Sequence, residues 1–87
     1  MKETIFIALS NNNILTIDLH KSDNVVNALE QLEKELFFIF KKNEKYCKVI
    51  YGVGSGVLKN KVLEALDKNP MVKDFFESAD GYCIVEF

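Results

Sequence analysis

The chain has 87 residues, 48% of them hydrophobic and 28% charged, enough for one domain with a modest core and too few for a second. Its formal charge of −2 excludes a protein that coats nucleic acid indiscriminately, because such affinity comes from neutralising phosphates. All eleven basic residues are lysines, so bidentate arginine recognition is excluded as well, and any contact with phosphate must use ammonium groups or backbone N–H.

No apolar run is long enough to cross a bilayer and no cleavable signal opens the chain, which predicts a cytoplasmic protein with no membrane partner. Cys47 and Cys83 lie in apolar, strand-like segments without Cys-x-x-Cys spacing and are read as buried free thiols.

In chain order, TIFIALS (4–10) and ILTIDLH (14–20) are apolar and β-branched. The three asparagines between them tolerate turn geometry, which predicts a hairpin whose first strand is an extra N-terminal one. From Ser22, read as an N-cap, Val25, Leu29, Leu32, Leu36 and Ile39 recur at spacings of four and three. That is the stripe of an amphipathic helix ending near Lys42.

Within this helix, FFIF (37–40) sets four bulky apolar side chains in succession. A single sheet-facing stripe buries Leu36, Ile39 and Phe40 more easily than Phe37 and Phe38 as well. At least one phenylalanine is therefore expected to be partly exposed, either as a patch for a protein partner or a second copy, or as part of a wide core face covered by the N-terminal strand.

CKVIY (47–51) reads as a short strand and runs into the glycine turn YGVGSG (51–56). Leu58, Val62, Ala65 and Leu66 then mark a second amphipathic helix, stopped at Asn69 and Pro70. MVKDFFES and YCIVEF read as two closing strands, with Asp80 and Gly81 near the turn between them. The predicted order is β-α-β-α-β-β.

A helical crossover makes the strands carrying TIDLH and KVIY parallel, so their C-terminal ends share one sheet edge, where open α/β sheets bind ligands. Asp18 and His20, two residues apart, point to the same side of the first strand or leave its end together, and are expected to converge there with the glycine turn.

Three of the four glycines stand at alternate positions of that turn, Gly52, Gly54 and Gly56. A dinucleotide fingerprint would need glycine at the position of Val57, and a Walker A loop would need Gly-Lys-Ser/Thr, so neither applies. What remains is a glycine-rich helix N-terminus with Ser55 as an N-cap or hydroxyl donor, where free N–H groups and the helix dipole favour an anion and Lys59 and Lys61 add charge. Spacing alone is met at least as well by turn sterics, helix capping and solvated lysines.

With IDLHK, a helix, VIYGVGSGVLKNKVLEAL and VKDFFESADGYCIVEF in this order, the chain resembles the small MutS-related (Smr) domain. The resemblance covers nearly all of the chain, from about residue 14 to the end, and residues 1–87 are read as a single domain with a family-like core over 14–87. The family's first motif is Leu-Asp-Leu-His-Gly; here Asp18 and His20 are kept, with Lys21 in place of the glycine. The second is His-Gly-x-Gly-Thr/Ser-Gly; Gly52, Gly54, Ser55 and Gly56 are kept, with Tyr51 in place of the histidine.

The resemblance implies an α/β two-layer sandwich with a mixed sheet and two helices, like the C-terminal domain of bacterial initiation factor 3. It also implies binding of RNA or DNA, in many members with endonuclease activity, some of it at ribosomes. On that reading Gly52, Gly54, Ser55 and Gly56 cradle a phosphate, Lys21, Lys59 and Lys61 hold its neighbours, His20 exchanges a proton and Asp18 orients a water or a magnesium or manganese ion. Tyr51, an additional candidate, can donate a hydrogen bond but lacks the ready proton exchange of an imidazole at neutral pH. The alternatives are a catalytically inactive module of the same fold docking on RNA, DNA or the ribosome, and a protein-interaction domain using the phenylalanine-rich helix.

Overall fold

A computed structural model describes residues 14–87. Its elements are β1 (Leu15–Asp18), α1 (Val25–Lys41), β2 (Tyr46–Ile50), α2 (Val57–Lys68), β3 (Asp74–Glu77) and β4 (Tyr82–Glu86). They form one four-stranded sheet in the order β1-β2-β4-β3. The predicted extra strand at 4–10 falls outside the described residues.

The sheet is mixed. The α1 crossover makes β1 and β2 parallel, Ile17 opposite Val49, while β2–β4 and β3–β4 are antiparallel, with Val49 opposite Cys83 and Glu77 opposite Cys83. Alternate residues turn to one face: Ile17 and Leu19, then Cys47, Val49 and Tyr51, then Cys83 and Val85. Against them pack Ala28, Leu32, Leu36 and Ile39 of α1 and Val62 and Leu66 of α2, one continuous core beneath two helices. Each fully buried leucine or isoleucine contributes about 1.5–3 kcal/mol relative to exposure, so this layer dominates the stability. The two-layer α/β arrangement expected from the sequence is the one observed.

The caps differ in detail. Helix α1 starts at Val25, two residues later than a Ser22 cap would give, because Asn24 is extended and its side chain accepts a 2.8 Å hydrogen bond from the Asn27 N–H. Ser22 instead donates its hydroxyl to Gln31 Oε1 at 3.3 Å. Helix α1 ends through Asn43, whose φ of 63° is left-handed, a conformation asparagine accepts more readily than most residues. Strand β1 stops at Asp18, so His20 stands in the turn that follows, although the Leu19 N–H still reaches the Ile50 carbonyl at 2.8 Å.

The phenylalanine run is more exposed than the stripe predicts. Phe37 and Phe38 are 54% and 69% exposed, and Phe40, expected to face the sheet, is 41% exposed and leans on Phe87 with ring centroids 6.1 Å apart. The reason is angular: Leu36 and Ile39 already occupy the inward arc, and Phe40 follows at the helix end, beside the sheet margin.

Candidate functional site

Parallel pairing of β1 and β2 brings both βα turns to one edge. The Asp18 carboxylate holds the His20 ring through Oδ1 and Nδ1 and also accepts from the His20 backbone N–H at 3.2 Å. That hydrogen bond from the His20 side chain, foremost, holds the Asp18 carboxyl below its ordinary value, with nearby Lys21 contributing a smaller attraction. Both side chains remain nearly half exposed, so the pair is open to a ligand. With Nδ1 engaged, Nε2 is the ring atom left to exchange a proton.

A residue not singled out in the sequence steadies this turn. Gln31 on α1 donates to the Asp18 carbonyl at 3.3 Å and to Glu35 Oε2 at 2.6 Å, while accepting from Ser22. The end of β1 and the turn behind His20 are thus tied to one side chain of α1.

The glycine turn lies directly alongside. A Cβ on Gly52 would sit 3.4 Å from the His20 Cβ, so the two motifs touch. Gly52 and Gly56 have φ of 85° and 87°, left-handed values that favour glycine for conformational reasons alone. Gly54 is different: its φ is outside the left-handed region, and an added Cβ would meet nothing within 4 Å. Turn sterics account for two of the three glycines and leave the third without a structural reason.

The β3–β4 turn holds the loop from its other side. The Gly81 carbonyl accepts from the Tyr51 and Gly52 N–H groups at 3.0 and 2.8 Å, and a Cβ on Gly81 would stand 2.8 Å from the Gly52 carbonyl carbon. Asp-Gly here serves a backbone-to-backbone contact as well as a tight hairpin. The N–H groups of Val53, Gly54, Ser55 and Gly56 donate to no backbone carbonyl among the described residues. Between the two turns is a cleft of about 190 Å³ lined by the glycine turn except Ser55, with Lys59, Ser78, Ala79 and Gly81; Asp18 and His20 stand beside it and do not line it.

The other candidate residues divide. Lys59 lines the cleft, but its Nζ is paired with Glu77 Oε1 at 3.1 Å. Lys21 stands in the turn beside Asp18 and is exposed. Lys61 is exposed on α2 and does not line the cleft. Ser55 does not cap α2: Gly56 is the cap residue without a side-chain bond, and the Ser55 hydroxyl is 3.5 Å from the Val57 N–H.

Tyr51 is turned away from the proton chemistry expected of that position. It shares strand parity with Cys47 and Val49, so it points into the core at 5% exposure, where its hydroxyl donates to the Tyr82 carbonyl at 3.0 Å. Burial pushes the phenol up to about 12. The two thiols are likewise inert, Cys47 and Cys83 both being pushed up to about 12 by burial.

The residues do not build a metal cage. Among the described residues no group of three or more His, Cys, Asp or Glu side chains converges to hold an ion, and Asp18 has one carboxylate oxygen committed to His20. No helix among the described residues is long and apolar enough to cross a membrane.

Comparison with known proteins agrees with this architecture. The chain is 45% identical over 64 residues to Endonuclease MutS2 of Aquifex aeolicus; the match covers 74% of this chain and 8% of that much longer relative. The crystal structure of the Smr domain of Thermus thermophilus MutS2 superposes with a TM-score of 0.77 at 22% identity, covering 84% of this chain and 96% of that one, which shows a shared fold. The family described as Smr domain matches residues 17–87, from the strand carrying Asp18 to the last residue of the chain. The chain therefore belongs to the Smr domain family.

Proposed function

We propose that this domain binds the sugar-phosphate backbone of RNA or DNA at the edge formed by the two βα turns and hydrolyses a phosphodiester there. The observation that carries the reading is the contact between the His20 turn and Gly52, which sets an oriented imidazole beside a loop of free backbone N–H groups. A phosphate on that loop has its developing negative charge met by the N–H groups of Gly54 to Gly56. A water oxygen forms the new bond to phosphorus as its proton passes to His20 Nε2, the bond to the leaving oxygen breaks, and Nε2 passes that proton on to the leaving oxygen. Asp18 keeps Nδ1 protonated and the ring in place; it is a positioning residue. Lys21 meets a flanking phosphate. Activity of the long relative named Endonuclease MutS2 is consistent with this chemistry. Two buried thiols, both unpaired, suit a reducing compartment such as the cytoplasm.

A second reading, docking on nucleic acid or on the ribosome without cleavage, is favoured by one observation. The Tyr51 hydroxyl is buried and already donated, so a single imidazole must both accept the proton of the attacking group and supply one to the leaving group. Cleavage of single-stranded RNA and of supercoiled plasmid, with and without magnesium or manganese, tests the choice. Hydrolysis abolished by Asp18→Ala and by His20→Ala supports the nuclease. No cleavage, or cleavage indifferent to both substitutions, leaves the docking module.

A further inference from the structure

Lys59 is the only cationic side chain lining the cleft among the described residues, and it is not free. Its Nζ lies 3.1 Å from Oε1 of Glu77, the last residue of β3, which leads into the turn that carries Gly81. That hairpin is tied by its Gly81 carbonyl to the glycine loop, so Glu77 is delivered to the cleft by the same backbone that holds the cradle. The carboxylate charge also reaches inward, raising the Cys83 thiol after burial itself and the Tyr51 phenol after burial and Cys83.

We propose that Glu77 is an affinity-setting residue: its carboxylate occupies Lys59 where a backbone phosphate would bind, so each phosphate must exchange with it on arrival and yields to it on departure. This rests on the phosphate-cradle reading above. Both partners are 40–48% exposed, which makes the pair easily exchanged. The pair also cancels the one side-chain cation lining the cleft among the described residues, so the resting site attracts polyanions weakly and releases them readily. When a strand phosphate takes Lys59, the displaced Glu77 carboxylate takes up a cation that offsets the one released from the strand, so the paired lysine adds little to the salt dependence of binding. Freed from Glu77, it contributes the usual increment of about 0.7 to the logarithmic salt slope on a single strand.

Binding of a fluorescent single-stranded RNA oligonucleotide at a series of salt concentrations tests this, with Glu77→Gln, Lys59→Gln, their double variant and Glu64→Gln. The last removes the same charge from a pair with Lys68 on the same helix that does not line the cleft. Glu77→Gln is expected to bind about two- to fivefold tighter at low salt, the range for releasing an exposed ion pair, and to steepen the salt slope by about 0.7. Glu64→Gln leaves both unchanged, and Lys59→Gln weakens binding and erases the effect of Glu77→Gln. If wild-type binding depends on Lys59 but Glu77→Gln is no tighter, the competitor role is overturned and the cradle stands. If wild type and Lys59→Gln bind alike, Lys59 holds no phosphate and the competitor role is overturned while the glycine cradle stands; if neither binds, the cradle reading fails and the competitor role falls with it.

Discussion

Replacing Gly54 by alanine separates a glycine kept for the fold from one kept for a ligand. The backbone at Gly54 is not left-handed and an added Cβ meets no atom within 4 Å, so the substitution introduces neither torsional strain nor a clash. By narrowing the unfolded ensemble it should raise stability by about 0.4–1 kcal/mol. At the cleft the methyl enters the space a phosphate would use, where an N–H donor must approach an oxygen to about 2.9 Å. Losing one or two charge-assisted hydrogen bonds of about 1.5 kcal/mol each weakens binding roughly ten- to hundredfold. Thermal melting and anisotropy titration of a single-stranded oligonucleotide read the two effects separately. A variant at least as stable as wild type and at least tenfold weaker in binding is expected; one that binds normally, or one that melts markedly lower, refutes the reasoning.

Gly81→Ala should do the opposite, acting through structure. Its φ of 85° costs an L-residue about 1–2 kcal/mol, and the Cβ would press on the Gly52 backbone at 2.8 Å, so melting should drop by the equivalent of about 2–4 kcal/mol, with the Tyr51 and Gly52 amides losing protection from hydrogen exchange. Alkaline pH should erode stability for a definable reason. Cys47, Cys83 and Tyr51 keep their protons up to about 12 when folded, against ordinary values of 9.0 and 10.0, so between those values and about 12 the folded state binds more protons than the unfolded one. Their contribution is complete below about 9 and is lost as pH rises toward 12. A phenol ionising near 12 in an ultraviolet titration, absent in Tyr51→Phe, is the expected signature, and Tyr51→Phe should cost about 0.5–1.5 kcal/mol at neutral pH through the lost bond to the Tyr82 carbonyl.

What could be read in the sequence was local or forced by topology. The 3.6-residue stripe of α1 required a crossover, the crossover required β1 and β2 to be parallel, and parallel strands put Asp18, His20 and the glycine turn on one edge. The inward turn of Tyr51 is implicit in its parity with Cys47 and Val49, which sets it on the core face of the sheet. Glu77 and Gly81 were not legible in the same way: their meeting with Lys59 and Gly52 depends on β4 inserting between β2 and β3, a long-range register that no local pattern encodes. Residue type alone does not separate Ser22, read as the cap, from Asn24; in the fold the Asn24 side chain accepts from the Asn27 N–H while Ser22 is bonded to Gln31. Nor could Lys59 be distinguished from Lys61 without the helix phase that turns only Lys59 toward β3.

The placement of nucleic acid on the glycine turn is tested most directly by the amide spectrum of the isotopically labelled protein during titration with a single-stranded RNA or DNA oligonucleotide. Shifts concentrated at Val53 to Gly56 and at His20, lost in Gly54→Ala, are the predicted result. Shifts at the exposed phenylalanines Phe37 and Phe38 with the glycine turn undisturbed, or none at all, would contradict it.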